Sequence, residues 1–411
     1  MTSEDDAGTG ATAGSGPDAA ETRERQPSLI ERTDALGYRI LEATTASSRR
    51  AGRVVFGDRT GLALWLGLVV TLALTWRVGF FLTDTYTVVN TLLNLADGRL
   101  AVTEIRYTLS LGSQPGLHEY GGRLYGRNYG QAMAAVPLLW LLEALAVVVS
   151  PRLLLAGGFS VGVLAFARQA GTLLGRRRTA GLVGAGVAFL VFVLNFALAT
   201  PLERDLLPLV ALQLSTLFLA GLVGVLLYRI IALFHDRRVA IGAGVVGGLA
   251  TPVGFWATLP KRHVLVALLL LSSVYCFARS RQIDGRRQPW LRGLAYGLVG
   301  LIAWVHAFEG FFALAVLVPV DLATAESNGR RQLAIVLLVL LVGLTPMLAT
   351  NAAISGNPAM PPRLLPDTGA GDVEFIPGTE PPQSGSEGEA RPTSGTPTGE
   401  GQQAQTTATP A

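Results

Sequence analysis

Between Gly61 and Thr350 the chain is a succession of apolar runs joined by short polar segments. Several runs approach or exceed the roughly 20 residues that a helix needs to cross a hydrocarbon core. In lipid every backbone N–H and C=O has to be satisfied within the protein, so unbroken apolar runs of this length fold as α-helices. The fold class expected is therefore an all-α polytopic membrane protein. Composition agrees, with 50% hydrophobic residues among 411 and a mean hydropathy of +0.43. The net charge of +4 does not point to nucleic acid, because the arginines fall in short clusters between apolar runs, where they orient a membrane protein. Cys276 is the only cysteine, so no intramolecular disulfide forms.

The two ends differ from the middle. Residues 1–27 are rich in Gly, Ala, Thr and acids without an apolar period, and are expected to be disordered. In residues 28–59, Leu29, Leu36 and Ile40 recur at helical spacing, as in an amphipathic segment on the cytoplasmic membrane face; a partly helical linker reads the same way. No basic leader precedes a short apolar core near Met1, so the first span is expected to direct insertion. Residues 60–365 form the expected transmembrane domain. Residues 366–411 turn to Gly, Ser, Thr, Pro and Glu, as in a disordered tail on the outer side.

Arginine placement sets a topology. Arg49, Arg50, Arg53 and Arg59 precede the first run, 61–82, so the positive-inside rule makes the N-terminus cytoplasmic and brings Asp84 out on the other face. A polar interval, 83–130, then precedes the run 132–149. If that run crossed, Arg176, Arg177 and Arg178 would lie outside. Read instead as a helix in the outer interface, it restores the alternation. The runs 153–174, 206–234, 263–277 and 311–323 then lead inward to arginine clusters, and 181–200, 240–259, 294–304 and 333–350 lead outward. The expectation is nine spans plus one interfacial helix in a cell membrane, with the C-terminus outside.

Glycines are closely spaced within the spans, at Gly181, Gly184 and Gly186, at Gly242, Gly244, Gly247 and Gly248, and in a GxxxG pair at Gly293 and Gly297. Small residues let helix backbones approach where lipid supplies no hydrophobic drive between them. GxxxxGK[ST], HExxH and CxxC sequences do not occur, so nucleotide hydrolysis, zinc proteolysis and thiol redox chemistry lack their usual motifs.

This topology gathers polar groups from separate loops on one face: Asp84, Glu104, His118 and Glu119, then Glu203, Arg204 and Asp205, then Lys261, Arg262 and His263, then His306 and Glu309. Acids and cations so placed suit transfer of a group carried on a lipid phosphate, a carboxylate taking the acceptor's proton while cations steady the departing charge.

An outer interval that opens with Asp84 continues Asn94-Leu95-Ala96-Asp97-Gly98-Arg99-Leu100. It closes Arg123-Leu124-Tyr125-Gly126-Arg127-Asn128-Tyr129-Gly130 before an apolar run containing Pro137. With Asn351 and the later Ser355-Gly356-Asn357-Pro358, this pattern resembles the GT-C glycosyltransferases from about residue 60 to 365. The resemblance implies a GT-C-like helical bundle, a polyprenyl-phosphate-linked sugar as donor, as in mannosyltransferases that use dolichol-type carriers, and a glycan or protein acceptor. It implies Asp84 as general base, with inversion at the anomeric carbon, and Glu203 or Asp205 as a second acid. Lys261 and Arg262, with Arg204, would contact the lipid phosphate, and Tyr125 and Tyr129 would line the sugar or lipid groove. Many members carry two acids at the first position, whereas Asp84 is followed by Thr85 and Tyr86, which leaves a divalent metal open.

Each of these residues has a plainer reading. Asp84 is placed to cap a helix, Glu203 and Asp205 to solvate a turn after Pro201, and Lys261 and Arg262 to anchor a span beside Trp256. The sequence thus points to a membrane glycosyltransferase, with a transporter or a catalytically inactive scaffold of the same fold as alternatives.

Overall fold

The computed structural model describes residues 50–108, 116–127 and 129–361, with Ser47 and Leu364. The expected disordered ends, most of the amphipathic segment and Asn128 lie outside the described residues. The chain is an all-α multi-pass membrane protein with one small hairpin. Its elements are α1 (Arg50–Phe56), α2 (Arg59–Ala73), α3 (Thr83–Ala96), β1 (His118–Tyr120), β2 (Arg123–Tyr125), α4 (Tyr129–Ala146), α5 (Pro151–Leu173), α6 (Arg177–Leu198), α7 (Leu207–Ile231), α8 (Arg237–Leu249), α9 (Pro252–Trp256), α10 (Arg262–Ser280), α11 (Gln288–Val305), α12 (Ala307–Thr324) and α13 (Arg330–Ser355). Among the described residues 7 helices are long and apolar enough to cross a membrane: α4, α5, α6, α7 with the turn before it, α10, α12 and α13.

Local chemistry sets the helix ends. Asp58 caps α2 by accepting from the Gly61 N–H at 2.8 Å, and α1 meets α2 there at a bend of 67°. Asp236 caps α8 through the Arg238 and Val239 N–H groups. Ser150 and Thr251 cap α5 and α9, each with Pro at the first helical position. Gly356, at φ 74°, closes α13 in the left-handed conformation.

The bundle is built around α7, 72% of whose apolar window is buried against 11% for α5, α6, α12 and α13. It packs on α2, α8, α10 and α4. Helix α2 runs antiparallel along it, with Tyr228 donating to Asp58, Trp65 to the Phe218 carbonyl and Trp76 to Gln213. The outer helices join as pairs, α5 with α6 and α11 with α13. In the second pair a Cβ on Gly343 would sit 2.1 Å from the Gly297 carbonyl oxygen, so the backbones meet directly. The GxxxG glycines 293 and 297 both face Val339 of α13.

Side-chain contacts define two poles. At one, Arg229 of α7 binds the Val54 and Val55 carbonyls and the Tyr275 hydroxyl, Arg237 meets Asp58 and Thr60, and Gln169 of α5 reaches the Arg59 carbonyl. Arg292 and Asp321 lie at the same pole, both fully buried. The Arg292 guanidinium spans both Asp321 oxygens at 2.8 and 2.9 Å, and continues to the Ser327 carbonyl and Asn328. Arg281 and the Tyr296 hydroxyl complete the shell around Asp321. This arginine pole clasps the ends of α10, α11 and α12.

The opposite pole is closed by a layer of α3, the hairpin and α4. The sequence reading placed a polar loop over 83–130, yet α3 is among the most buried helices of the chain, with Thr85 and every residue from Thr87 to Leu95 enclosed. Asn90 and Asn94, one turn apart, make this possible. The Asn90 side chain accepts from the Arg106 and Tyr107 N–H groups and donates to the Tyr107 carbonyl. Asn94 accepts from the N–H groups of Thr103 and Glu104 and donates to the Glu104 carbonyl. Two carboxamides therefore supply backbone partners to the segment 103–107. The hairpin turns at Gly121 and Gly122, both at positive φ as a two-residue turn demands.

Helix α4 starts beside Val305, the far end of α11, and its later residues Leu139, Leu142 and Ala146 share a core with Leu207 to Leu212, the first turns of α7. Both ends of α4 thus remain at the loop pole, despite a length and apolarity sufficient to cross. The first expected run, 61–82, divides instead: α2 ends at Ala73, and 74–82 is irregular apart from helical turns. The run 240–259 is likewise split into α8 and α9 at Thr251-Pro252.

Replacing Asn90 by Leu removes three hydrogen bonds that hold the Arg106 and Tyr107 backbone on α3, at about 0.5–1.5 kcal/mol for each. We expect Asn90→Leu to lower thermal stability in detergent and to speed tryptic cleavage at Arg99 and Arg106; wild-type melting and digestion would disprove the clamp. Asp321→Asn strands the buried Arg292 and should cost about 3–5 kcal/mol in chemical unfolding, more than the joint Arg292→Leu, Asp321→Leu replacement. Equal stability of Asp321→Asn and wild type would rule out a structural clasp.

Candidate functional site

The acid–base pair of the loop pole is made by elements far apart in sequence. Asp84 occupies the first turn of α3, where the helix dipole favours a carboxylate. It does not cap the helix: the N-cap position is Leu82, with no side-chain bond. Instead Asp84 Oδ2 meets Lys261 Nζ at 2.9 Å, joining α3 to the start of α10. Lys261 is held from behind, its ammonium 5.9 Å from the centre of the Trp256 ring. The hydrogen bond from Lys261 holds the Asp84 carboxyl below the usual aspartate range; partial burial opposes this, and the charges of Lys261, Arg127 and Arg262 reinforce it. Asp84 is 59% exposed at its side chain, so the pair is open to solvent.

The neighbouring residue continues the cluster. Arg262 Nε lies 3.3 Å from Glu309 Oε1 at the start of α12, and His306 Nδ1 approaches the same oxygen at 3.5 Å. Arg127, after the hairpin, donates to His118 Nε2 at 3.1 Å. Four elements therefore bring acids and cations to one end of the bundle. The linker after α2 adds Arg77. With Thr75, Phe81, Phe255, Thr258 and Leu259 it lines a groove of about 230 Å³. Phe81 stands three residues before Asp84, and Leu259 two before Lys261, so the groove is lined by chain next to both members of the pair.

The other expected residues are placed differently. Among the described residues no hydrogen bond or ion pair joins Asp84 to Glu203 or Asp205. Asp205 belongs to a second cluster: its carboxylate is 3.9 Å from Arg106, which pairs at 2.7 Å with Glu104, and its carbonyl accepts from the Tyr107 hydroxyl. Burial pushes that hydroxyl's pKa up, so it stays a donor. Glu203 and Arg204 are exposed in the turn before α7. Tyr125 and Tyr129 are buried in the core rather than facing a groove. The Tyr129 hydroxyl is committed to the Leu100 carbonyl and the Gly126 N–H, so both rings support the hairpin.

Among the described residues no group of three or more His, Cys, Asp or Glu side chains is placed to hold a metal ion. Asp84 has a lysine, not a second acid, as its near neighbour, a donor set that does not fit a divalent cation. Sequence reasoning missed Arg77, Arg106 and Asn90. Arg77 carried no signal beyond a charge at the end of an apolar run. Asn90 and Asn94 were visible as a four-residue repeat of carboxamides in a stretch of helical period. In comparisons with protein-family models, curated proteins and solved structures, this chain finds no match.

A carboxyl whose pKa is lowered in the fold contributes stability above its unfolded pKa and loses it as pH falls through the folded value. The Asp84–Lys261 pair is therefore intact at neutral pH and opens only in acid, below the usual aspartate range. Carbon-detected NMR of the Asp84 carboxyl should titrate below free aspartate, and Lys261→Met should move that midpoint upward. An unchanged midpoint in the variant would show that Lys261 does not set it.

Proposed function

We propose that the chain is a GT-C-like membrane glycosyltransferase that moves a sugar from a polyprenyl-phosphate donor to an acceptor hydroxyl at the outer face, with Asp84 as general base. The observation that carries the reading is the solvent-open Asp84–Lys261 pair, flanked in sequence by residues that line a groove with one arginine and two exposed phenylalanines. Apolar rings suit a prenyl chain, and a cation beside a carboxylate suits a phosphate leaving next to a base.

In this scheme the donor's phosphate draws the Lys261 ammonium from Asp84. Losing its counter-charge raises the basicity of Asp84 at the moment it is needed. The acceptor oxygen attacks the anomeric carbon while its proton passes to an Asp84 oxygen. The bond from that carbon to the phosphate oxygen breaks, and the lipid phosphate departs with an added negative charge that Lys261 and Arg262 neutralise. Attack opposite the leaving group inverts the anomeric carbon. Glu203 and Asp205 take no part in this step; Asp205 fastens the turn before α7 to the segment 103–107.

Positive-inside orientation puts the arginine pole in the cytoplasm, with the described part of the chain entering there and Ser355 emerging outside. The membrane reading then has α2, α5, α6, α7, α8, α10, α11, α12 and α13 crossing, and α4 lying in the outer interface. A transporter would place ionisable groups deep within the spans. The buried Arg292–Asp321 pair instead occupies terminal turns of α11 and α12 and is enclosed by hydrogen bonds on every side.

Purified protein in nanodiscs, supplied with a radiolabelled polyprenyl-phosphate hexose and membrane acceptors, should transfer sugar. Asp84→Asn should lower the rate by about 10²–10⁴-fold, the range for a general base, and Lys261→Met should mainly weaken donor use. Transfer by Asp84→Asn at the wild-type rate would exclude Asp84 as base. A protein inert with every polyprenyl-phosphate hexose would refute the enzyme reading.

A further inference from the structure

The arginine pole carries a second opening, unrelated to Asp84. The end of α10 and the start of α11 enclose a groove of about 700 Å³ lined by Arg279, Ile283, Asp284, Arg287, Trp290, Leu291 and Leu294. Its composition is divided. Arg279 belongs to the last turn of α10, Asp284 and Arg287 to the turn between the helices, and the apolar residues mainly to the first turns of α11. Trp290 and Leu294, one turn apart, are 55% and 44% exposed, so they form an open apolar strip leading away from the arginines.

The arginines are not spent on internal pairing. Arg279 donates to the side chain of Gln282 at 3.2 Å, and among the described residues no carboxylate lies within ion-pair distance of Arg279 or Arg287. Their neighbours Arg281 and Arg292 are by contrast engaged with Asp321. Asp284 reduces the charge of the lining without cancelling it, and Arg286 adds a further cation beside it. A groove with a net positive head and an exposed Trp–Leu strip matches a molecule with an anionic head and an apolar tail, and tryptophan is the residue enriched at the level where those two parts meet.

We propose that this groove binds one anionic membrane phospholipid, its phosphate between Arg279 and Arg287 and an acyl chain along Trp290 and Leu294. The phosphate accepts from two guanidinium groups, which can each present paired donors. The lipid then straps the α10–α11 turn at the pole where Arg281 and Arg292 close on Asp321. A free phosphate shares the head-group chemistry, but leaves the Trp290–Leu294 strip uncovered.

The test uses the full-length protein in detergent, titrated with phosphatidylglycerol, phosphatidylcholine or inorganic phosphate, and reads bound lipid by native mass spectrometry with melting temperature in parallel. Phosphatidylglycerol should bind and raise the melting temperature, whereas phosphatidylcholine should do neither. The double variant Arg279→Gln, Arg287→Gln should bind phosphatidylglycerol about 30-fold more weakly, taking about 1 kcal/mol for each arginine near an anionic head group and about 1.4 kcal/mol for each decade. Arg286→Gln controls for loss of charge outside the lining and should retain binding. Equal phosphatidylglycerol binding by the double variant and wild type would overturn the site. Phosphate alone matching the lipid's effect would overturn the lipid assignment, and a double variant already unfolded without lipid would move the test to Trp290→Ala, whose unchanged binding would refute the strip.

Discussion

A charged side chain in a hydrocarbon solvent has two ways to persist: it reaches the end of its helix, or it meets a counter-charge with its remaining hydrogen bonds satisfied. That constraint orders this molecule more than any single contact. Arg229 and Arg237 take the first course at the ends of α7 and α8, where they bind carbonyls and Asp58. Arg292 and Asp321 take the second, fully enclosed yet within the terminal turns of their helices. With charge removed from the middle of the bundle, helix association there rests on shape. The Gly297–Gly343 approach and the glycines of α8 against α7 supply it.

The loop pole obeys the same rule by other means. Its covering layer contains irregular backbone, which needs partners for every N–H and C=O it buries. Asn90 and Asn94 provide several of them from within a helix, so 103–107 is held against α3. Fixing that segment fixes Arg106 and Tyr107, and through them the turn at Asp205. The first turn of α3 meanwhile remains at the edge of the layer, which leaves Asp84 partly exposed and within reach of Lys261. A buried helix thus presents one carboxylate at its open end.

Much of the bundle was legible because apolar length is a direct signal. The helices α5, α6, α7, α10 and α13 fall close to the runs read from sequence, and the arginine clusters do gather at one pole. The break after Ala73 was not legible, since Trp76, Phe80 and Phe81 sustain the apolar run through a stretch that leaves the helix. Nor was the burial of α3: its sequence, TDTYTVVNTLLNLA, reads as polar because the partners of Asn90 and Asn94 lie largely in a separate segment, 103–107. Tyr125 and Tyr129 drew attention as aromatics in a polar interval, and the fold spends them on the hairpin. Pairing of Asp84 with Lys261, across 177 positions, is beyond what periodicity encodes.

The acids of the molecule differ in how open and how firmly paired they are. A base has to be ionised, open to its substrate and able to gain basicity when the substrate is bound. Asp321 is bonded to two arginines but sealed, and Asp205 is drawn into the fastening of a turn. Glu309 shares its oxygen between Arg262 and His306, so any ligand drawing off Arg262 leaves it a second partner. Asp84 has one close cation, and that cation is a lysine on a flexible stem rather than a forked guanidinium. One lysine as the close partner is the arrangement that an incoming anion can most readily undo, which is why the proposal rests on this pair and not on the more numerous contacts around it.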